Sequence, residues 1–226
     1  MLPLRDHSRT NVTPIITYAI IAINIFVFFL ELIGDTEKIF AEFALIPVNI
    51  NWVEYKTLLP FITSQFLHAG FLHIISNLWF LKIFGDNVEE KFGHIKFLVF
   101  YLVCGIAGGL LQYVFSYGSD IPMLGASGAI AGVLGAYLYY FPKHSIETLI
   151  PFGLFSQIIN LPAKIILIYW FVTQLFSGVG SITSSVLGGV AFWAHIGGFA
   201  AGYFLAQFYS KLSFKSDEAE EGVLLD

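Results

Sequence analysis

Charge is scarce in this chain. Only 12% of its 226 residues are charged, whereas 57% are hydrophobic and the mean hydropathy is +0.76. A soluble domain typically carries about 25% charged and about 45–50% apolar residues. The imbalance excludes an ordinary soluble domain and indicates that lipid surrounds most of the chain. The length permits one domain with six spans of about 20 residues joined mainly by short loops.

Cysteine and basic clusters are scarce as well. Cys104 is the single cysteine, which excludes a disulfide framework. It lies in an apolar run and is expected to be a small core residue. No basic patch is present, so a nucleic-acid partner is not expected. The net charge of −5 comes largely from acidic residues near the end of the chain.

Six apolar segments predict an all-α membrane protein built as a six-transmembrane-helix bundle. The first is interrupted only by Asn24 and Glu31 and is too long for the core of a signal peptide. The predicted spans are Ile15–Ile33, Pro60–Phe84, Ile95–Tyr117, Met123–Phe141, Pro162–Val179 and Val190–Tyr209.

Polar segments border and connect these spans. Residues 1–14 are a polar N-terminal segment, residues 15–209 form the single domain, and residues 210–226 are an acidic tail that is expected to be solvated and disordered. Residues 34–58 are predicted as a long loop and residues 85–91 as a charged turn. Residues 145–160 are apolar but interrupted by polar residues, so we expect an interfacial segment and not a span.

The distribution of basic residues predicts the orientation. With six spans and a cytoplasmic N-terminus, Lys38 and Lys56 lie outside, and the other nine of the eleven basic residues lie inside. Cytoplasmic loops carry the excess of Lys and Arg, so both termini are expected in the cytoplasm, with the protein in the inner or plasma membrane. The inside residues are Arg5, Arg9, Lys82, Lys91, Lys96, Lys143, Lys164, Lys211 and Lys215.

Three of the spans carry chemically capable side chains near their outer ends. Ser127 is the serine of the Gly-Ala-Ser-Gly motif in span four, and His195 follows Ala194 in span six. Spans two, four and six all enter from the outer face, so these groups share one depth. A serine hydroxyl needs a base to become a good nucleophile. We therefore predict Ser127 as the nucleophile and His195 as its base. No carboxylate lies in the middle of these three spans, which favours a dyad.

His73 and Asn77 of span two share a helix face, because they are four residues apart. Together with the backbone N–H of Ser127, they could stabilise a developing oxyanion. Small residues let membrane helices approach closely enough for a Ser–His hydrogen bond. Those near the site are Gly125, Gly128, Gly132, Gly198 and Gly202. Any one of these motifs alone is more often a packing feature than a catalytic one.

The set of motifs resembles the bacterial rhomboid intramembrane proteases. His-x-x-x-Asn, Gly-Ala-Ser-Gly and Ala-His-x-Gly-Gly occur in the expected spans, and the resemblance extends from about Ile15 to Tyr209. It implies the Ser127–His195 dyad, oxyanion assistance by His73 and Asn77, and a mainly structural role for His68. It also implies a water-filled cavity open to the outside and transmembrane protein substrates. Many members have Trp-Arg where this chain has Leu59-Pro60.

The predicted function is that of an intramembrane serine endopeptidase, which cleaves single-span membrane proteins in or near their membrane segment and needs no cofactor. Two other classes stay open. A non-catalytic relative could bind membrane helices as a chaperone or adaptor. A transporter is disfavoured, because no inverted repeat and no intramembrane carboxylate pattern is evident. Metal binding by His68, His73 and His195 is also disfavoured, because a spacing of five residues fits a shared helix face poorly.

Overall fold

A computed structural model describes residues 1–8, 10–152, 155–183 and 191–223. Six long helices dominate it, with two short helices and three strands. In chain order the elements are β1 (Leu2–Asp6), α1 (Ile15–Ile33), α2 (Thr36–Phe43), α3 (Pro60–Thr63), α4 (Phe71–Phe92), α5 (His94–Phe115), α6 (Ser127–Tyr140), β2 (Ser145–Phe152), β3 (Phe155–Pro162), α7 (Ala163–Thr183) and α8 (Phe192–Val223). Arg9, Val190 and residues 224–226 of the predicted tail lie outside the described residues.

The helical membrane fold is confirmed. Among the described residues, α1, α5 and most of α7 are long and apolar enough to cross a bilayer by themselves. A fourth candidate is the bent pair Tyr55–Phe66 and Phe71–Phe92, whose axes differ by 80°. The central helix α6 has 14 residues and is about 21 Å long, whereas the hydrocarbon core is about 30 Å thick. One end of α6 therefore lies within the depth of the membrane.

The second predicted span was wrong at both ends. Helix α4 begins only at Phe71, after a bend, and continues to Phe92. The residues that were predicted as a charged turn at 85–91 are therefore helical. Their polar groups find partners from distant parts of the chain: Asn87 donates to Asp6 at 2.8 Å, and Glu89 accepts from Ile16 and Thr17. A turn was expected from the run of charged and polar residues alone, which does not reveal these distant partners.

Glu89 is only 1% exposed and stabilises the start of α1. Its carboxylate accepts the backbone N–H of Ile16 at 2.9 Å, and both the N–H and the hydroxyl of Thr17 at 2.7 Å. The first N–H groups of a helix have no partner within the helix, and a carboxylate at that end is favoured by the helix dipole. One buried carboxylate thus fixes α1 against α4.

Residues 145–152 and 155–160 form strands in a small sheet and do not cross the bundle. Strands β2 and β3 are an antiparallel hairpin, and β1 pairs with β2 through Leu2↔Leu149 and Asp6↔Ile146. The all-α prediction therefore needs one correction, a three-stranded sheet in the order β1-β2-β3. The β-branched residues Ile146, Thr148, Ile158 and Ile159 favour strands. The pairing places the hairpin at the same face as the N-terminal segment.

The long loop between α1 and α4 is held by an aromatic cluster. Trp52 packs edge-on against Tyr113 of α5, with ring centroids 5.5 Å apart, and meets Phe61 of α3 at 5.9 Å with the rings tilted. Its indole N–H donates to the Tyr113 hydroxyl at 3.3 Å. Leu45 and Met123 also exchange two backbone hydrogen bonds. The contacts of Trp52 and Leu45 thus hold the loop in a chain that has Leu59-Pro60 in place of the family's Trp-Arg.

The remaining boundaries shift modestly, except at the end of the chain. Helix α6 starts at Ser127, four residues after the predicted Met123, and α7 extends to Thr183. Helix α8 continues past the predicted Tyr209 to Val223. The acidic residues Asp217 and Glu218 belong to this helix. Ala, Glu and Lys in this segment are good helix formers, so a helix that has already begun can extend through them.

The first testable prediction concerns the position of the hairpin. Single cysteines replacing Ser145 or Asn160, both exposed, in a Cys104→Ala background should not react with a membrane-impermeant thiol reagent applied outside intact cells. They should react after the membrane is opened. The reason is that α6 and α8 must cross in the same direction, with α7 as the single crossing between them.

Val53→Cys in the same background is the positive control, since Val53 is 95% exposed in the opposite loop. It should react from outside. Labelling of Ser145→Cys or Asn160→Cys without opening the membrane would contradict both the placement of the hairpin and the predicted orientation.

Candidate active site

Ser127 and His195 are in direct contact. Ser127 is the first residue of α6 and His195 is near the start of α8. The serine Oγ and the histidine Nε2 are 2.8 Å apart. This distance is that of a nucleophile bonded to its base. The structure thus brings together the two residues that the sequence predicted as a dyad, although they are 68 positions apart.

Glycines make this contact possible. A Cβ atom built on Gly198 would collide with the carbonyl oxygen of Gly128, and one built on Gly202 would collide with that of Gly132. The backbones of α6 and α8 therefore touch without intervening side chains. Because the two helices are so close, the short side chains of Ser127 and His195 can form a direct hydrogen bond. The structure places these four glycines where the two helices are closest.

Gln112 of α5 holds the start of α8. Its side-chain oxygen accepts the backbone N–H of Trp193 at 3.0 Å and that of Ala194 at 3.2 Å. Trp193 also stacks on Phe115 with ring centroids 3.7 Å apart. The first N–H groups of a helix lack a partner within the helix, and Gln112 accepts that of Trp193 and shares that of Ala194 with the carbonyl oxygen of Ala191. His195, the next residue, is fixed in register with Ser127.

Gln174 of α7 is a contact that the sequence analysis missed. Its Oε1 is 2.7 Å from Nδ1 of His195, on the ring edge opposite Ser127. Trp170, one turn earlier on α7, lies 5.7 Å from the imidazole, centroid to centroid. The available signal was a strongly polar residue within the apolar fifth span, since such residues in membrane helices usually face protein groups.

His73 and Asn77 lie against the loop that precedes Ser127. A Cβ atom at Gly125 would be 2.7 Å from Nε2 of His73 and 3.7 Å from Nδ2 of Asn77. Gly125 has φ +126°, a left-handed conformation that favours glycine. The Ala69 N–H points to Nδ1 of His73 at 3.5 Å, which leaves Nε2 as the N–H donor. The buried Nδ2 of Asn77 has no hydrogen-bond partner among the described residues.

His68 lies beside these donors and makes a different kind of contact. It is 1% exposed, and its ring meets that of His73 at 5.1 Å. Its backbone N–H donates to the buried carboxylate of Glu31 in α1 at 3.1 Å. The sequence analysis treated Glu31 only as an interruption of the first span. These contacts join α1 to the bend before α4 and fit the structural role that was predicted for His68.

A small cavity of about 30 Å³ adjoins Ser127. Its walls include Gly105, Gly109 and Gly128, with Gln65 and Met123 also contributing. The described residues contain no group of three or more His, Cys, Asp or Glu side chains that could hold a metal ion. The arrangement is suited to nucleophilic attack by a serine beside a narrow space for a small group.

Comparison with known proteins gives a family model and several curated relatives. The Rhomboid domain model matches residues 55–212. The chain is 39% identical over 137 residues to "Rhomboid protease GluP" of Bacillus subtilis, covering 57% of this chain and 25% of the relative. It is 36% identical over 109 residues to "Putative rhomboid protease YdcA" of the same organism, covering 44% and 54%.

A eukaryotic relative matches at lower identity. "Rhomboid protein 1, mitochondrial" of Saccharomyces cerevisiae is 31% identical over 135 residues, covering 58% of this chain and 38% of the relative. The matches span between a quarter and about half of the lengths of these relatives. They bear on the membrane domain, which contains the site.

The glycine contact gives the second testable prediction. Gly198→Ala should lower the free energy of unfolding in detergent by about 1–3 kcal/mol, the usual cost of overpacking a core. The reason is that the new methyl group meets the backbone of Gly128 and not a flexible side chain. Thermal unfolding measures the change.

Gly70→Ala is the matched control, because a Cβ atom there meets nothing within 4 Å and the backbone is extended. Its melting temperature should stay close to that of the unmodified protein. Equal melting temperatures for Gly198→Ala and Gly70→Ala would show that the close approach of α6 and α8 contributes little to stability.

Proposed function

Because this chain belongs to the rhomboid family, we propose that it is an intramembrane serine endopeptidase with Ser127 as nucleophile and His195 as general base. The observation that carries the proposal is the 2.8 Å contact between Ser127 Oγ and His195 Nε2 at the facing ends of two membrane helices. Relatives that are named proteases support the same chemistry.

The proposed reaction begins with attack of Ser127 Oγ on the carbonyl carbon of the scissile peptide bond. His195 Nε2 takes the hydroxyl proton as the new C–O bond forms. The tetrahedral intermediate then collapses, the C–N bond breaks, and the imidazolium gives its proton to the leaving amine. Water, deprotonated by the same nitrogen, hydrolyses the acyl-enzyme and regenerates Ser127. The cycle balances with peptide and water alone, so no cofactor is proposed.

The oxyanion of the intermediate is proposed to lie near Gly125. His73 Nε2 and Asn77 Nδ2 both approach this glycine, and the amide of Asn77 has a free donor there among the described groups. The backbone N–H of Ser127 is a third donor, because it stands at the start of α6 without an acceptor within the helix. Preorganised donors of this kind stabilise the charge that develops in the transition state.

The proposed substrates are single-span transmembrane proteins. Helix α6 is too short to cross the bilayer, so one of its ends lies within the membrane. If that end carries Ser127, the serine meets a substrate in or near its membrane segment. The narrow, glycine-walled cavity beside Ser127 favours a small side chain at the cleaved bond. We place the protein in the plasma membrane with both termini in the cytoplasm, as the basic residues indicate.

The third testable prediction concerns the dyad. Ser127→Ala and His195→Ala should each abolish cleavage of a single-span model substrate and labelling by a fluorophosphonate probe, because the nucleophile or its base is gone. Gel analysis of both reactions in membranes is the measurement, and a folded state in detergent is the requirement for each variant. Cleavage by Ser127→Ala above a few per cent of the normal rate would refute the assignment.

The fourth prediction ranks the oxyanion donors. Loss of one donor typically costs about 10²–10³ in rate. We expect Asn77→Ala to lose less than this, because His73 and the Ser127 N–H remain, and His73→Ala to lose more than Asn77→Ala. Initial rates of substrate cleavage by folded variants test the ranking. An Asn77→Ala variant as inactive as Ser127→Ala would reverse it.

A further inference from the structure

We propose that Gln174 of α7 is a positioning residue that holds His195 in the tautomer able to act as a base. The inference rests on the proposed function, because it assigns Gln174 a role in the same dyad. Gln174 touches neither Ser127 nor the bond to be cleaved in this arrangement. It acts through the ring of His195.

The hydrogen bonds form a chain with one consistent direction. Gln174 presents Oε1 to His195 Nδ1 at 2.7 Å, and a carbonyl oxygen can only accept. Nδ1 must therefore carry the proton of the neutral imidazole. Nε2 is then left with its lone pair, and this nitrogen lies 2.8 Å from Ser127 Oγ. With Gln174 in place, the hydroxyl of Ser127 donates and His195 accepts, as a general base requires.

A carboxylate usually holds the histidine of a serine protease in this way, and loss of the correct tautomer there is severe. Within the described part of the chain, the ring of His195 hydrogen-bonds only to Ser127 and Gln174. A neutral amide thus occupies the place of the third triad member. Because it carries no charge, it can select the tautomer without the strong preference for imidazolium that a carboxylate brings.

The contact also makes the dyad dependent on the placement of α7. Gln174 and Trp170 are four residues apart and share one helix face, and both meet the imidazole of His195. Helix α7 is the least buried of the three helices that are long enough to span alone. Outward displacement of α7 would remove both contacts at once. His195 is therefore oriented as a base only while α7 is docked.

The test compares the rate of fluorophosphonate labelling of Ser127 across pH in detergent. Gln174→Met keeps the length of the side chain and removes the acceptor, so we expect a loss of about 3- to 10-fold, as for one neutral hydrogen bond. Gln174→Glu keeps an acceptor and adds a charge. Ser127 of this variant should still be labelled at high pH. The acidic limb of its pH–rate profile should move to higher pH by about one unit, because the carboxylate favours imidazolium.

Thr173→Val is the matched control on α7, since the Thr173 hydroxyl bonds only to Trp170 O of its own helix. It should keep both the rate and the pH profile. His73 of α4 is a further titratable group that acts on His195. The double variant His73→Gln and Gln174→Glu should therefore still show the shift of the acidic limb to higher pH. A purely structural role for Gln174 would change stability without moving the acidic limb, and that result would overturn the proposal.

A second readout does not depend on catalysis. In ¹⁵N-histidine NMR, assigned with the His195→Ala variant, the imidazole of His195 should show a protonated Nδ1 in the unmodified protein and a larger Nε2–H population in Gln174→Met. A protonated Nε2 in the unmodified protein would overturn the inference. If no Ser127-dependent labelling occurs at all, the proposed function fails, and the spectrum still decides the role of Gln174.

Discussion

The close approach of α6 and α8 is the constraint on which the site depends. Carbonyl oxygens of α6 occupy the space where side chains would stand at Gly198 and Gly202 of α8. Serine and histidine side chains are short, so a 2.8 Å bond between Ser127 and His195 requires backbones in near contact. Larger residues at these positions would separate the helices by more than either side chain can reach. The glycines thus set the geometry, although they take no part in the chemistry.

Around this contact, polar side chains inside the bundle are paired with backbone groups from other elements. Gln112 accepts two N–H groups at the start of α8, Glu89 accepts two at the start of α1, and Glu31 accepts one from the bend before α4. In lipid, an unpaired backbone group is costly. These pairs satisfy helix ends that water would satisfy in a soluble protein. They also hold in place the helices that carry His73 and His195.

One exception to this pairing lies at the candidate site. Asn77 Nδ2 is buried and has no partner among the described groups, and it faces the glycine two residues before Ser127. A buried amide donor that stays unpaired costs stability, and the proposed oxyanion site would use such a donor. Gln174, in contrast, is paired. Its bond to His195 explains why a strongly polar residue lies in an exposed helix.

The sequence by itself determined the class of the fold and identified the candidate site residues, because both follow from local composition. Long apolar runs require spanning helices in lipid, and polar groups such as Ser127 and His195 are costly there unless they serve a function. The interruption at residues 145–160 was also evident, although not its strands. Such properties can be recognised from the sequence, because apolar runs are long and polar residues within them are rare.

Beyond the Ser127–His195 pair, only the tertiary structure decided which polar residues meet. Residues 85–91 form a helix and not a turn because Glu89 and Asn87 are satisfied by segments more than 70 positions away. The hairpin became a sheet because β1 supplies a third strand. Gln174 gained its place beside His195 through the packing of α7 on α8. Such pairings depend on the relative placement of distant elements, and one sequence without its fold carries no direct record of that placement.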